Sequence, residues 1–322
     1  MRDNPAPDHR LSRTDQHVHQ TWSNDHDPVR SVASGDVVEF ECRDATNGRL
    51  DADATVEDVR ALAEGGGGHP LTGPVAVEGA EPGDVLAVDL LDFEHEGFGV
   101  SYFYPGELGW GLLPEAFPDP GVHVWDLDGD VGHFGNGIEV PLDPFPGNLG
   151  VAPAEDGEHS TTPPRRVGGN LDVKHLTAGA TLYLPVEVAG GLFSIGDCHA
   201  AQGDGEVCVT GIEAPMTVTA RLRLERDRDL ETPEFETTGP FSAFGPGDPV
   251  YATTGVADDL MDASKDAIRR MITHLHDRRG LTRSEAYVLC SAIVDLKINE
   301  VVDRPNWVVS AYLPEGIFPD GQ

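Results

Sequence analysis

Lysine is almost absent from this chain: Lys174, Lys265 and Lys297 are the only three among 322 residues. Lysine and arginine together number 22 against 56 aspartates and glutamates, which gives a formal net charge of −34. This balance disfavours nucleic-acid binding, because phosphate backbones are bound by concentrated positive charge. The acidic residues are spread along the whole chain. Such a surface is typical of a halophilic protein kept soluble by charge, and a basic partner is the alternative.

Cysteines and long apolar runs are also scarce. The four cysteines are scattered without a CxxC pair, which favours a reducing compartment over a disulfide framework. No run approaches the roughly 18 apolar residues of a membrane span. The N-terminal stretch MRDNPAPDHRLSRTDQ lacks the apolar core of a signal peptide. We therefore expect a soluble, cytoplasmic protein without a membrane partner.

Several well-known catalytic motifs are missing. The chain has no GxSxG nucleophile elbow, no Ser-Ser pair of a Ser-Ser-Lys amidase, and no glycine-rich loop with lysine for phosphate. A Cys-Glu-Lys amidase needs a lysine, and only Lys174 lies near the acidic stretch described below. The segment GGGGHP lacks the strand and helix of a dinucleotide site and predicts a loop. His69 on this loop is a candidate substrate-binding residue.

Most of the first 225 residues consist of short apolar runs separated by glycine, proline and aspartate. The stretches SGDVVEFECRDA, EPGDVLAVDLLDF and AGATLYLPVEVAG predict strands that begin at tight turns, as in barrels or sandwiches. Residues 93–164 are rich in glycine, proline and aromatics and predict a functional loop layer. The stretch 155–166, at the end of this segment, is expected to be a mobile loop.

Helical spacing is concentrated near the C-terminus. Residues 258–280 predict one helix, and a second begins at the capping box formed by Thr282 and Glu285. The sequence therefore predicts a mainly β fold. We expect a β-barrel or β-sandwich catalytic body over 1–225 and a smaller C-terminal α/β segment over 226–322 that packs on the body.

Side chains suited to metal binding are concentrated in SIGDCHAAQGDGE, Ser194 to Glu206. Asp197 and His199 lie two residues apart, so a continuing strand projects both side chains from the same face. Cys198 between them then points the opposite way, into the core. A carboxylate and an imidazole on one face can bind one divalent ion.

The same alternation continues on both sides of this pair. Gln202, Asp204 and Glu206 follow it, and the glycines between them allow close approach of a ligand to the backbone. Asn170 and Asp172 precede it, with enough chain between the two clusters for one return crossing. Because charges beside apolar runs are costly to bury alone, the cluster predicts a metal or catalytic site. The ligand types suit Zn²⁺, Mn²⁺ or Ca²⁺.

Three long stretches carry a family resemblance: HPLTGPVAVEGAEPGDVLAVDLLD, GGNLDVKHLTAGATLYLPVEVAGGLFSIGDCHAAQGDGEVCVTGIE and LTRSEAYVLCSAIVDLKINEVVDRPNWVVSAYLP. With the N-terminal HVHQTWSNDHDPVRSVASGDVVEFECRDA, they make nearly the whole chain resemble the acetamidase/formamidase family. The resemblance implies a mostly β homo-oligomer that hydrolyses formamide or acetamide to the carboxylate and ammonia. The family's Gly-Asn-x-Asp and Gly-Asp-x-His-x-x-x-Gly-Asp-Gly-Glu motifs fall on Asn170, Asp172, Asp197, His199, Asp204 and Glu206.

These residues suggest a metal-assisted mechanism. We expect Asp172, Asp197 and His199 to hold a divalent ion, with Zn²⁺ favoured over Mn²⁺ or Ca²⁺, that activates the carbonyl and a water molecule. Glu206 is the expected general base and Asp204 the alternative.

Asn170 and Gln202 are expected to donate hydrogen bonds to the developing oxyanion. Whether His17 or His19 joins the site is left open. Idiosyncratic aromatics within 97–147 leave the size of the substrate open.

Two other functions remain as alternatives at this stage. One is a non-catalytic β protein that binds structural Ca²⁺ and a small ligand. The other keeps the metal site but hydrolyses a different C–N bond, in a cyclic amide or a urea-like compound.

Overall fold

A computed structural model describes residues 5–238, 248–302 and 304–319. The fold is mainly β, as predicted, and the described residues contain three α-helices: α1 (Val56–Gly65), α2 (Leu260–Arg279) and α3 (Arg283–Ile293). None of these helices is long and apolar enough to span a membrane.

In chain order, the strands are β1 (His9–Leu11), β2 (Val18–His19), β3 (Thr21–Trp22), β4 (Arg30–Val32), β5 (Val37–Cys42), β6 (Leu71–Val77), β7 (Val85–His95), β8 (Phe98–Phe103), β9 (Gly121–Asp128), β10 (Val131–Gly135), β11 (Ile138–Pro141), β12 (Phe145–Gly150), β13 (His159–Ser160), β14 (Pro164–Arg165), β15 (Gly168–Asn170), β16 (Thr181–Pro185), β17 (Phe193–His199), β18 (Met216–Glu225), β19 (Glu234–Glu236), β20 (Val250–Ala257), β21 (Asp295–Glu300) and β22 (Trp307–Pro314).

Two large sheets form the body. One has the strand order β1-β5-β18-β7-β16-β19, and the other has the order β14-β15-β12-β17-β6-β2, with β4 also paired to β6. Buried side chains of both sheets belong to one hydrophobic core. Phe40 of β5 and Phe193 of β17 meet edge to face across it, with ring centroids 5.8 Å apart. This face-to-face contact of two sheets is a sandwich arrangement.

Three of the predicted strands each follow a tight turn, as expected from the sequence. Gly35, Gly83 and Gly179 each have a positive φ, and each lies within a turn closed by a backbone hydrogen bond. β5, β7 and β16 follow these turns directly. Glycine is required there because other residues rarely adopt this backbone conformation.

The C-terminal helices agree with their sequence signals. The side chain of Asp259 caps α2 by accepting hydrogen bonds from two backbone N–H groups, and Gly280 ends the helix in the left-handed conformation. α3 begins with the expected capping box of Thr282 and Glu285. These helices accompany the antiparallel sheet β20-β22-β21. The division of the chain at 225/226 stays a prediction, since β19 beyond that point still pairs with β16 of the body.

The expectation of a loop layer over 93–164 was wrong for much of that stretch. β8, β9, β10 and β11 form an antiparallel meander, and β12 is fully buried in the second large sheet. Glycines scattered through this stretch make the alternation of apolar and polar residues hard to recognise in the sequence. In β9 the structure shows it, because Trp125 and Leu127 are buried. The expected mobile loop at 155–166 contains β13 and β14, and Thr161 within it is buried.

Candidate active site

Most of the predicted site residues line a cavity of about 300 Å³. β12 lies between β15 and β17, so it brings the segment that carries Asn170 beside the strand that carries Asp197 and His199. The two predicted clusters therefore meet. The lining of the cavity includes the predicted residues His69, Asn170, Asp172, Asp197, His199 and Glu206.

The backbone at this cavity is conformationally strained. Among the described non-glycine residues, seven have a positive φ, and four of these line the cavity. They are Asp172 at 47°, Asp197 at 53°, Glu206 at 42° and Val209 at 86°. Such conformations persist only where the surroundings enforce them, and they cluster at functional sites.

His199 lies at the centre of a buried group of carboxylates. Its Nε2 atom is 3.1 Å from Glu213 Oε1, 3.7 Å from Asp197 Oδ1 and 4.0 Å from Glu206 Oε1. Burial would lower the pKa of His199, but the charges of Glu213 and Asp197 outweigh it and raise this pKa well above its ordinary value. The imidazole is therefore cationic unless another cation takes the place of its Nε2 proton.

Gln202 fixes the orientation of this imidazole. Its Nε2 donates to the carbonyl of Asp172 at 3.0 Å, so its Oε1 faces His199 Nδ1 at 2.7 Å and accepts from it. Nδ1 therefore carries a proton, and Nε2 is the atom that faces the carboxylates. A metal-binding histidine is commonly held in this way through its second nitrogen. The structure thus places Gln202 behind His199 and outside the cavity lining.

Asp172 is held by Asn170, whose Nδ2 donates to its Oδ2 at 2.8 Å. The other oxygen, Oδ1, is buried and has no hydrogen-bond partner among the residues that the structure describes. Burial, the largest influence, and the charges of Asp197 and Glu213 raise the pKa of Asp172 to about 7, against the opposing charge of His199. A β-carbon at Gly147 would lie 2.6 Å from Oδ1, so a glycine at this position leaves the space beside the carboxylate open.

His69 forms a second cation in the cavity. Its Nδ1 lies 2.9 Å from Asp197 Oδ2. Burial would lower the pKa of His69, but the charge of Asp197 dominates and raises this pKa to about 9. Burial likewise opposes ionisation of Asp197, but the charge of His69 and hydrogen bonds from both imidazoles hold the pKa of Asp197 far below its ordinary value.

Glu206 differs from its neighbours because it can be reached from two sides. Its side chain is 19% exposed, and it lines both the main cavity and a neighbouring surface groove that contains Lys265. Burial, followed by the charge of Asp172, raises the pKa of Glu206 well above its ordinary value. A carboxyl group with a raised pKa in contact with solvent is a candidate for proton transfer.

The donor set fits a divalent cation. Asp172, Asp197 and His199 offer one ligand atom each within 4.8 Å of one another, and His199, Glu206 and Glu213 form a second such group. Four carboxyl groups face two imidazoles, so when all four are ionised even two imidazolium ions leave an excess of negative charge. Asp172 Oδ1 and Glu213 Oε2 are both buried, and neither has a hydrogen-bond partner in the described parts of the chain. Unpaired buried carboxylate oxygens are costly, and a bound cation would satisfy them.

Three residues considered from the sequence lie elsewhere. Asp204 is absent from the cavity lining, and its carboxylate contacts Lys297 and Lys174. The alternation failed there because the chain turns at Gly203–Gly205 instead of continuing as a strand. His19 Nε2 forms a hydrogen bond with Ser194 Oγ at 2.8 Å, and His17 Nδ1 contacts the carbonyl of Ser12. Neither histidine lines the cavity.

Sequence reasoning missed several residues of the cavity wall. Glu213 is 3% exposed and forms isolated bridges with Val100 and His199. An acid between Ile212 and Ala214 was a usable signal, because a charge inside an apolar run needs a partner. Tyr102 and Tyr104 were missed because their segment was predicted to be a loop; their rings meet edge to face with centroids 5.3 Å apart.

Comparison with known proteins gives consistent results. The model of the acetamidase/formamidase family matches residues 6–159 and 155–320. A formamidase from Methylophilus methylotrophus is 26% identical over an alignment covering 94% of this chain and 90% of that protein.

Two solved structures cover nearly the same length. A γ-lactamase from Delftia acidovorans has a TM-score of 0.88 at 27% identity, with 96% of this chain and 93% of that chain covered. An acetamidase from Bacillus halodurans has a TM-score of 0.63 at 31% identity, with 95% and 97% covered. From its sequence, its mainly β fold and these matches, the chain belongs to the acetamidase/formamidase family and is an amide hydrolase that acts on carbon–nitrogen bonds.

Proposed function

We propose that this chain hydrolyses small linear amides, such as formamide and acetamide, to a carboxylate and ammonia, with a divalent cation held by Asp172, Asp197 and His199. The observation that carries the proposal is the position of Glu206. Its carboxyl group lies in the same cavity as this ligand group, with Oε1 4.0 Å from His199 Nε2. Glu206, as the proposed base, and the proposed cation ligands thus line the same cavity, which is large enough for a small amide.

Lewis acidity toward the amide carbonyl and toward a water molecule is the chemistry that the cation supplies when bound. A histidine with two carboxylates suits a catalytic Zn²⁺ site, so Zn²⁺ is the first ion to test and Mn²⁺ and Ca²⁺ follow. The amide side chains of Asn170 and Gln202 are already engaged with Asp172 and His199. We assign these two residues to orienting the ligand group.

The remaining steps belong to residues that face the cavity. Glu206 accepts a proton from the attacking water and delivers it to the leaving nitrogen, because its raised pKa allows the carboxyl group to hold that proton briefly. His69 uses Nδ1 on Asp197, and its Nε2 makes no hydrogen bond within the described residues. Its cationic ring can donate from Nε2 to the oxygen that becomes negative.

Hydrolysis of a cyclic amide is the second candidate. The chain matches the γ-lactamase with a higher TM-score than the acetamidase, although the sequence identities are similar. The cavity of about 300 Å³ reaches the size at which pockets begin to hold ligands larger than acetamide. Leu108 and Trp110 line it and are 44% and 49% exposed, so they offer apolar surface to the carbon skeleton of a larger substrate.

Ammonia release separates these candidates. The chain is stripped of metal, refilled with Zn²⁺, Mn²⁺ or Ca²⁺, and assayed at molar salt with formamide, acetamide and propionamide. Opening of 2-pyrrolidinone is followed in parallel by chromatography. Release restored by one ion is the expected result. Ring opening that exceeds release from every linear amide would favour the lactam. A folded protein that hydrolyses none of the four would contradict both candidates.

Three properties of the whole molecule are proposed with this function: a cytoplasmic location, a homo-oligomeric state and adaptation to high salt. The first two rest on the scattered cysteines and on the family to which the chain belongs. The third rests on the net charge of −34, and a test of it is described below.

A further inference from the structure

Two of the three lysines of the chain meet at a single place. Lys297 Nζ lies 3.1 Å from Asp204 Oδ2 and 3.2 Å from Asp295 Oδ2. Lys174 Nζ lies 3.7 Å from the same oxygen of Asp204 and contacts Asp295 Oδ1 directly. We refer to Lys174, Asp204, Asp295 and Lys297 as the lysine clamp. In a chain so poor in lysine, two of them on one pair of aspartates indicate a specific requirement.

The clamp connects the two segments that carry the proposed chemistry. Lys174 follows Asp172 by two residues, and Asp204 precedes Glu206 by two residues. The other two members belong to β21, in the C-terminal part of the chain. Lys174 and Asp204 therefore each lie two residues from a proposed site residue, and both contact Asp295 of β21.

Backbone contacts also connect the loop of Asp204 to β21. Asp204 N–H donates to Asp295 Oδ1 at 3.3 Å, and Leu296 N–H donates to the carbonyl of Asp204 at 2.9 Å. A β-carbon at Gly203 would lie 2.2 Å from the carbonyl oxygen of Val294, so the loop is in close contact with the chain leading into β21. The loop that ends at Glu206 cannot shift without breaking these contacts.

Burial of Asp295 and Lys174 makes their ion pair less sensitive to salt than a surface ion pair, whereas Lys297 and Asp204 are 37% and 31% exposed. The side chain of Asp295 is 1% exposed and that of Lys174 is 12% exposed. Salt screens exposed charges strongly, but it screens buried pairs much less. A buried carboxylate that loses its cation is left uncompensated, so it holds its partners in place. This suits a site that must keep its geometry at high ionic strength.

We propose that Lys174, Lys297 and Asp295 are positioning residues for amide hydrolysis, which fix the segments of Asp172 and Glu206 relative to each other through Asp204. The inference rests on the proposed function. None of the three residues lines the cavity, so they act through the residues that do.

Kinetics provide the first test. Asp295→Asn and Lys297→Met should each lower kcat by about 10- to 100-fold with KM within about threefold, as is typical for residues that orient a site from behind. Lys297→Arg keeps the charge and should recover most of the lost kcat. Asp89→Asn is the matched control, because Asp89 is a partly buried partner of Arg223 that does not line the cavity. This control should retain kcat within about twofold.

Hydrogen exchange provides a test that does not depend on turnover. Asp295→Asn and Lys297→Met should accelerate amide exchange in residues 172–176 and 202–209 of the native protein, whereas Asp89→Asn should not. Unchanged exchange and unchanged kcat in both clamp variants would overturn the inference. Loss of kcat that Lys297→Arg does not recover, with exchange raised throughout the chain, would indicate a general loss of stability and would overturn it too. If the wild-type protein hydrolyses no amide, the proposed function fails while the exchange data still test the clamp.

Discussion

Glu206 is the residue on which the proposed chemistry depends most directly. Glu206→Gln removes the group that accepts a proton but keeps nearly the same volume. We expect kcat to fall by about 100-fold or more with KM little changed, because a positioned general base typically contributes that much. Glu78→Gln, at an exposed turn, is the control for loss of one negative charge. A Glu206→Gln variant within threefold of the wild-type rate would remove this residue from the mechanism.

Asp172 gives the metal-free protein a predictable dependence on pH. Its pKa is about 7 in the folded chain, against about 3.9 for an unperturbed aspartate. The folded state therefore holds a proton that the unfolded state has lost, and stability falls as pH rises between about 4 and 7. His69 extends the same trend, because stabilisation present below about 6.5 is lost as pH rises through about 9.

The measurement is the free energy of unfolding in chelator at pH 5 and pH 7, for the wild type and for Asp172→Asn. Each proton involved contributes up to about 1.4 kcal/mol per pH unit. The wild type should lose stability over this interval relative to the variant, and added Zn²⁺ should remove the difference. Equal pH dependence of both proteins in chelator would show that Asp172 is not protonated in the folded chain.

At the scale of elements, β12 positions both halves of the site. Its Gly147 has no room for a side chain: an added β-carbon would lie 2.6 Å from Asp172 Oδ1 and 2.9 Å from the carbonyl of Asp197. Gly147→Ala should therefore displace these residues and lower kcat by at least tenfold, together with the affinity for a divalent ion. Gly316→Ala introduces the same methyl group where no atom of the described residues lies within 4 Å.

Activity and ion affinity are measured by ammonia release and by calorimetric titration with Zn²⁺. Gly316→Ala should match the wild type in both. Full activity and unchanged ion binding in Gly147→Ala would mean that the site does not require the close approach of β12.

Much of this arrangement could be predicted from the sequence, for local reasons. Asp197 and His199, which both line the cavity, could be selected as candidates because their spacing and their apolar neighbours are visible in consecutive residues. Asp204 was assigned a place in the site by the same alternation, which failed because the chain turns at Gly205, where φ is 105°. Glu213 enters the site through a bridge to His199, and a pairing between separate segments is not encoded in local spacing.

At the scale of the whole molecule, the net charge of −34 sets the response to salt. Repulsion between exposed carboxylates weakens as the Debye length falls from about 10 Å at 0.1 M to about 3 Å at 1 M salt. The melting temperature should therefore rise by several degrees between 0.1 M and 2 M KCl. Sorbitol at equal osmolality is the control, because it leaves the charges unscreened. An equal rise in sorbitol, or none in KCl, would contradict the halophilic interpretation.

The loop that carries Glu206 is held by residues much later in the chain. Gly203 N–H donates to the carbonyl of Ser291, and Cys208 N–H donates to the hydroxyl of the same serine. Tyr287 donates its hydroxyl hydrogen to the carbonyl of Val207. During synthesis these partners leave the ribosome after the loop they hold. A nascent chain that has emerged only as far as β18 therefore lacks the groups that hold this loop, and we expect Glu206 to reach its final position only after α3 and β21 have docked.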